Sequence, residues 1–200
     1  MNWKKIFQTI GLNLKGSAPQ RAAYLREKKL FGLMGEKVSY SPRKIPLYPN
    51  LIRIHNNVSL AAGVQFITHD ISDNVINGYL KSAGRDERVS EKIGCIEIMD
   101  NVFIGANTTI LYDVRIGENC IIGASSTVTK DLEPNGVYAG TPAKRIGSFD
   151  EYVQKCAQNP GGGTAIPMLN TIKASLMTRL QELGHSLRIQ EAWIVNGAIS

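Results

Sequence analysis

The chain has few cysteines, only Cys95, Cys120 and Cys156 among 200 residues. An odd number without regular spacing excludes a disulfide framework and points to a reducing compartment. Histidine is equally scarce: His55, His69 and His185 are the whole set, and none stands at ligand spacing beside His69. A metal centre built on three imidazoles would have to draw on the remote His185. No apolar run is long enough to span a bilayer. The start of the chain, Met1 to Gly16, carries Lys4 and Lys5 but no continuous apolar stretch or cleavage site, so it does not read as a signal peptide. The expected location is the cytoplasm. The net charge is +6, but the basic residues are scattered and no nucleic-acid motif accompanies them. A phosphorylated small ligand is the simpler partner for that charge.

What the chain does have is a repeat. Ile98, Ile104, Ile110, Ile116, Ile122 and Val128 recur at intervals of six. Gly105, Gly117 and Gly123 each follow one of them. Four residues after each stand Val102, Thr108, Val114, Cys120, Ser126 and Leu132, mostly small or β-branched. A period of six is neither the 3.6 of a helix nor the 2 of a strand. It is the period of a parallel β-helix, with each aliphatic side chain stacked on its counterpart one coil below.

Ile54, Leu60 and Phe66 form an earlier block of the same pattern. The step from Phe66 to Ile98 is not a multiple of six, so an insertion breaks the phase. Residues 71–93 hold Gly78, Gly84 and several charges, and read as a loop thrown out near an active site. The chain then divides into three parts: a helical segment over 1–44, the β-helix over 45–147, and a helical extension over 148–200.

The flanks read as helix. Trp3, Ile6, Phe7, Ile10 and Leu14 line one helical face, expected to pack on the protein itself, with a weak membrane-surface contact as the alternative. Ser17-Ala18-Pro19-Gln20 is a capping box, and a helix is expected from Pro19 to Met34, stopped by Gly35. Ser148-Phe149-Asp150-Glu151 is a second capping box, opening a helix to about Gln158. Leu169, Ile172, Leu176, Leu180 and Leu183 mark a further amphipathic helix.

Three stretches carry a resemblance. Ile98-Met99-Asp100-Asn101-Val102-Phe103-Ile104-Gly105-Ala106 resembles the active-site coil of the hexapeptide-repeat acetyltransferases. Ile122-Gly123-Ala124-Ser125-Ser126-Thr127-Val128-Thr129-Lys130-Asp131 and Ala139-Gly140-Thr141-Pro142-Ala143-Lys144 resemble their terminal signature. Phe66-Ile67-Thr68-His69-Asp70 brings the chain nearest to the sugar O-acetyltransferases of polysaccharide biosynthesis. The resemblance covers about Ile45 to Tyr152. It implies a left-handed β-helix, a homotrimer with active sites between subunits, and acetyl-CoA as donor. The acceptor it implies is a saccharide hydroxyl.

A sugar hydroxyl is a poor nucleophile at neutral pH, so its acetylation needs a base, and imidazole suits that task. His69 takes the role in the matching motif. Asp70 either orients the imidazole or starts the turn, since neighbours in an extended segment point apart. Phe103 stands where relatives often carry Trp, as an apolar wall or simply as coil packing. The Ala106 N–H matches the donor that holds the thioester oxygen as charge develops. Ala124 and Thr129 match positions lining the pantetheine groove. Lys130 and Lys144 match positions facing the CoA phosphates, and Arg145 adds charge beside them. Met99 and Asp113 replace glycines common in the family, so the corners there are expected to differ. No metal and no covalent acyl-enzyme is expected. Other readings are a serine or amine acetyltransferase, a scaffold without activity, and a zinc carbonic anhydrase on the same repeat.

Overall fold

A computed structural model describes residues 3–158. The helix expected over Leu169–Leu183 lies outside the described residues, as do His185 and the last residues of the chain. The chain divides into two units, 1–154 and 155–200. The β-helix and the elements that precede it belong to the first.

Strands are numbered in chain order, and they stack in three parallel sheets. The first holds β1 (Leu33–Met34), β3 (Ile52–Ile54), β8 (Ile96–Ile98) and β11 (Val114–Ile116). The second holds β2 (Ser39–Tyr40), β4 (Ser59–Leu60), β9 (Val102–Ile104), β12 (Cys120–Ile122) and β14 (Gly136–Ala139). The third holds β5 (Gln65–Phe66), β10 (Thr109–Ile110) and β13 (Thr127–Val128). Through β3, β4, β5, β8, β9, β10, β11, β12 and β13 the strands enter the three sheets in rotation, so the chain winds around one axis as a parallel β-helix.

The register explains the hexads. Ile54, Ile98 and Ile116 pair in one ladder, Leu60, Ile104 and Ile122 in the next, and Phe66, Ile110 and Val128 in the third. All of these side chains are buried. The positions four further along also turn inward, from Val58 through Val102 and Val114 to Leu132. The two polar ones are satisfied: Thr108 and Ser126 donate to the Gly123 carbonyl at 3.1 and 2.7 Å.

One full coil is three hexads, as from Ile98 to its partner Ile116. The step from Ile54 to its partner Ile98 is longer than a coil, and the excess is the insertion. It leaves after β5 and is not structureless. Its base is an antiparallel pair, β6 (His69–Asp70) with β7 (Lys92–Ile93). Between them runs a helix, α3 (Asp73–Ser82). The expected loop is therefore a hairpin carrying a helix. Ile76 and Leu80 stand four apart, and Leu80 is the residue α3 buries.

The start of the chain differs from expectation in one respect. Helix α1 (Trp3–Asn13) and helix α2 (Ala18–Glu27) are present, and α2 opens with the expected capping box of Ser17 and Gln20. But α2 stops at Glu27, not Met34, and Lys29 takes a φ of 49°. The chain then enters β1 and β2, so the coils begin inside the segment read as helical. Met34 pairs with Ile54 and Tyr40 with Leu60, steps slightly longer than three hexads, which hides this first coil from a search for the period. Helix α2 covers the open end. Arg21, buried, donates from Nε to the Tyr40 carbonyl at 2.9 Å, and Arg26 donates to the carbonyls of Met34 and Gly35. Two guanidinium groups thus occupy acceptors that an edge would otherwise leave bare.

The other end is closed by β15 (Lys144–Ser148), which turns back antiparallel on β14. Helix α4 (Phe149–Gln158) follows, and Ser148 and Glu151 exchange the two bonds of the expected capping box.

Corner residues take positive φ. Asn57, Asn101, Asn119 and Asn135 lie between 54° and 59°, and their side-chain amides bond in a ladder at 2.8, 2.9 and 2.8 Å. Asn tolerates this conformation better than most residues. Asp113, expected to alter its corner, also takes a positive φ, 55°, and accepts the Cys95 N–H at 3.2 Å.

Candidate active site

His69 stands at the root of the insertion, half-buried on β6. The Tyr48 ring meets the imidazole edge to face, with centroids 5.6 Å apart and planes at 89°. Nδ1 is buried and makes no hydrogen bond. The buried side-chain polar atoms without a partner, among the described residues, are Thr68 Oγ1, His69 Nδ1 and Asp73 Oδ1. All three fall in the short stretch from Thr68 to Asp73. Buried unpaired polar groups are rare in native structures.

Asp70 does not orient His69. Its Oδ1 accepts the Ser72 N–H at 2.8 Å, and its Oδ2 accepts the Tyr112 hydroxyl at 3.3 Å. Of its two proposed roles, starting the turn is the one the geometry fits, because adjacent side chains on β6 point apart. The Ser72 hydrogen bonds hold the carboxyl below its ordinary pKa, helped by Tyr112 and by the charge of Lys92.

The other residues singled out fall on two corners and one face. After the third sheet the chain turns at Ile67, at Leu111 and at Thr129, which stack one above another. Thr129 and Lys130 therefore share a corner with His69, two coil rises away, or about 10 Å. After the second sheet it turns at Ala62, Ala106 and Ala124. The Asn107 N–H bonds the Ala62 carbonyl, and the Ser125 N–H bonds the Ala106 carbonyl. Ala106 and Ala124 thus share the other corner. One hexad of extended chain separates the corners, at most about 20 Å. Phe103 points outward from the second sheet, 41% exposed, so it is not coil packing.

Thr129, Lys130, Lys144 and Arg145 line one cavity of about 760 Å³, together with Asp131 and Glu133. Lys130 and Lys144 make no ion pair among the described residues. Arg145 is held to the main chain, donating to the carbonyls of Asn135 at 3.0 Å and Gly147 at 3.3 Å. The structure therefore gathers Thr129 and the three cationic residues. It leaves His69 above them on the same corner and places Ala106, Ala124 and Phe103 elsewhere on the prism.

Two residues at the site were missed. Tyr48 sits in a proline-rich segment with no pattern to mark it. Tyr112 follows a hexad strand, and nothing in the spacing points to Asp70. His55, expected to be ordinary, donates from Nε2 to the Glu97 carboxylate at 3.0 Å, and Glu97 also faces Arg53 and Arg115 at 3.4 and 3.7 Å. That is a charge ladder on the first sheet. No group of three metal-binding side chains occurs among the described residues.

Residues 96–130 match the family described as bacterial transferase hexapeptide (six repeats). The match spans the regular hexads of the coil. Protein CapG of Staphylococcus aureus is 39% identical over 111 residues, 56% of this chain and 60% of CapG. The curated relatives are matched over only 25% to 60% of their own length. Among solved structures, a maltose O-acetyltransferase from Clostridium difficile 630 aligns with a TM-score of 0.55 at 29% identity, covering 73% of this chain and 84% of that one. A hexapeptide-repeat acetyltransferase from Vibrio cholerae O1 biovar eltor, solved with acetyl coenzyme A, shares the fold, with a TM-score of 0.52 at 24% identity over 74% of this chain and 86% of that one. The chain thus resembles acetyltransferases, a sugar O-acetyltransferase among them, as its motifs implied.

Proposed function

We propose that this chain transfers an acetyl group from acetyl-CoA to a saccharide hydroxyl. The observation that carries the reading is His69, half-open at the root of the insertion, on one corner with the cationic cavity of Lys130 and Lys144. The likeness to a maltose O-acetyltransferase supports acetyl transfer to a saccharide. The cavity's lysines, without an ion pair among the described residues and at the motif positions that face CoA phosphates, support the donor.

Nδ1 of His69 turns into the protein, so Nε2 is the atom that takes the hydroxyl proton. The acceptor oxygen attacks the thioester carbonyl, and the Ala106 N–H holds the oxygen that becomes negative. Collapse of the tetrahedral intermediate expels the CoA thiolate, which recovers the proton from His69. Lys130 and Lys144 hold the CoA phosphates by charge. No acyl-enzyme is formed.

His69 and Ala106 lie on different corners of one prism, so one copy alone does not bring them together. A homotrimer of left-handed β-helices, with each site between two copies, joins the His69 corner of one to the Ala106 corner of the next. The insertion with α3 lies over the acceptor.

The test is release of free thiol from acetyl-CoA with a panel of saccharides, and mass detection of the acetylated product. Thiol release that depends on a saccharide and matches ester formation is expected. Transfer to serine or an amine instead would reassign the acceptor. No release with any acceptor would leave a scaffold.

A further inference from the structure

Helix α1 turns its larger apolar face away from its own protein. Its fully buried side chain is Leu12, which joins the core with Ala22 and Leu25. At about 100° per residue, Trp3, Phe7, Ile10 and Leu14 fall within about 60° of arc, and Leu12 lies opposite them. The four are 61, 66, 50 and 79% exposed. The Leu14 N–H bonds the Ile10 carbonyl at 3.0 Å, so the stripe stays in register past the end of α1. Among the described residues nothing covers the stripe, where packing on the protein's own body was the expectation. Of the residues read as one face, only Ile6 is partly covered.

The segments that carry and neighbour the stripe in the chain have charge of one sign. No Asp or Glu occurs in residues 1–26 or 37–69. Lys4 and Lys5 lie on α1, and Lys15 follows it. Asn13 ties the end of α1 to the Arg43 carbonyl at 3.0 Å, which brings Arg43 and Lys44 to the same end. The carboxylates of the intervening stretch are taken: Glu27 pairs with Lys28 at 2.8 Å and Glu36 with Arg26 at 3.1 Å. A second copy of this chain would present both charges. A bilayer with anionic headgroups presents negative charge throughout. An apolar stripe with Trp and Phe, beside lysines and without carboxylates, is the composition of a helix that lies in a membrane interface.

We propose that α1 holds the protein on the surface of an anionic membrane. The axis lies in the plane of the surface. Trp3, Phe7, Ile10 and Leu14 enter the headgroup–acyl boundary, and the surrounding basic residues meet the headgroups above it. This inference does not depend on the acetyl-transfer reading.

The probe is phosphatidylcholine vesicles with and without phosphatidylglycerol, added to the full chain. Trp193→Phe leaves Trp3 as the single indole. With phosphatidylglycerol present, the protein co-sediments, Trp3 emission shifts to the blue, and binding weakens as salt is raised. Phe7→Asp with Ile10→Asp lowers binding roughly tenfold or more and leaves the mass in solution unchanged. Absence of a blue shift and of co-sedimentation overturns the proposal. So does equal binding of the double variant. A fall in the oligomer's mass on making that variant also overturns it, because the stripe would then be covered by a second copy.

Discussion

The Tyr112 hydroxyl donates to Asp70 Oδ2 at 3.3 Å, across the line where the insertion leaves the coil. Tyr112 belongs to the regular prism, and Asp70 to the hairpin that carries His69. The bond fastens one to the other, and both carboxylate oxygens of Asp70 are engaged away from the imidazole.

The fastening should fail at low pH. The folded-state carboxyl of Asp70 titrates below its ordinary value, chiefly because of the Ser72 hydrogen bonds. Its contribution is therefore complete above the unfolded value, about 3.9, and is lost as pH falls through the lower folded value. Relative to coil amides, hydrogen exchange over 69–93 should quicken below about pH 4. Tyr112→Phe should quicken it at neutral pH, and Asp70→Asn should remove the pH step. An unchanged protection pattern in both variants would separate Asp70 from the hairpin.

The asparagine ladder makes a prediction about stability. Asn101 sits at φ 59°, accepts from Asn57 and donates to Asn119. Asn101→Gly loses the two side-chain bonds but keeps the conformation. Asn101→Ala loses both and adds about 1–2 kcal/mol for a left-handed backbone. Melting temperatures should fall in the order wild type, Gly, Ala.

Lys144 should govern the donor. Lys144→Ala should weaken CoA binding, and wild-type affinity should fall as salt rises, since the contact is ionic and near the surface. If Lys144 meets the 3′-phosphate, dephospho-CoA loses less on mutation. Calorimetric titration with both ligands decides it, and equal losses place Lys144 elsewhere.

A site shared between copies has a signature of its own. Ala106 precedes Asn107 at φ 58°, the positive φ that a type II turn needs, and Pro is favoured at the position before it. Ala106→Pro should therefore fold while removing the N–H, at a cost of roughly 10²–10³ in turnover. Subunits bearing Ala106→Pro, mixed by refolding with subunits bearing His69→Ala, should regain activity that neither has alone. Sites lying within single chains would regain none.

Most of the prism was legible, and the reasons are local. Ile98 to Val128 keep strict phase because each fills one level of one stack, and a level admits little else. The first coil was not legible, because Met34 and Tyr40 stand out of phase with their partners Ile54 and Leu60, and Pro42, Pro46 and Pro49 interrupt the pattern between them. Helix α3 was missed because Gly78, Gly84 and the charges outweighed the spacing of Ile76 and Leu80. His69 was legible only through its motif. Its neighbour Tyr48 comes from well before it in the chain and Tyr112, which holds Asp70, from well after. Only the winding of the coil brings such segments together.

The most direct measurement is the turnover of His69→Ala at saturating acetyl-CoA and saccharide, with CoA affinity and mass in solution measured on the same sample. Turnover lower by about 10²–10⁴-fold, with CoA affinity and mass close to wild type, is the predicted result. Wild-type turnover in His69→Ala would contradict it.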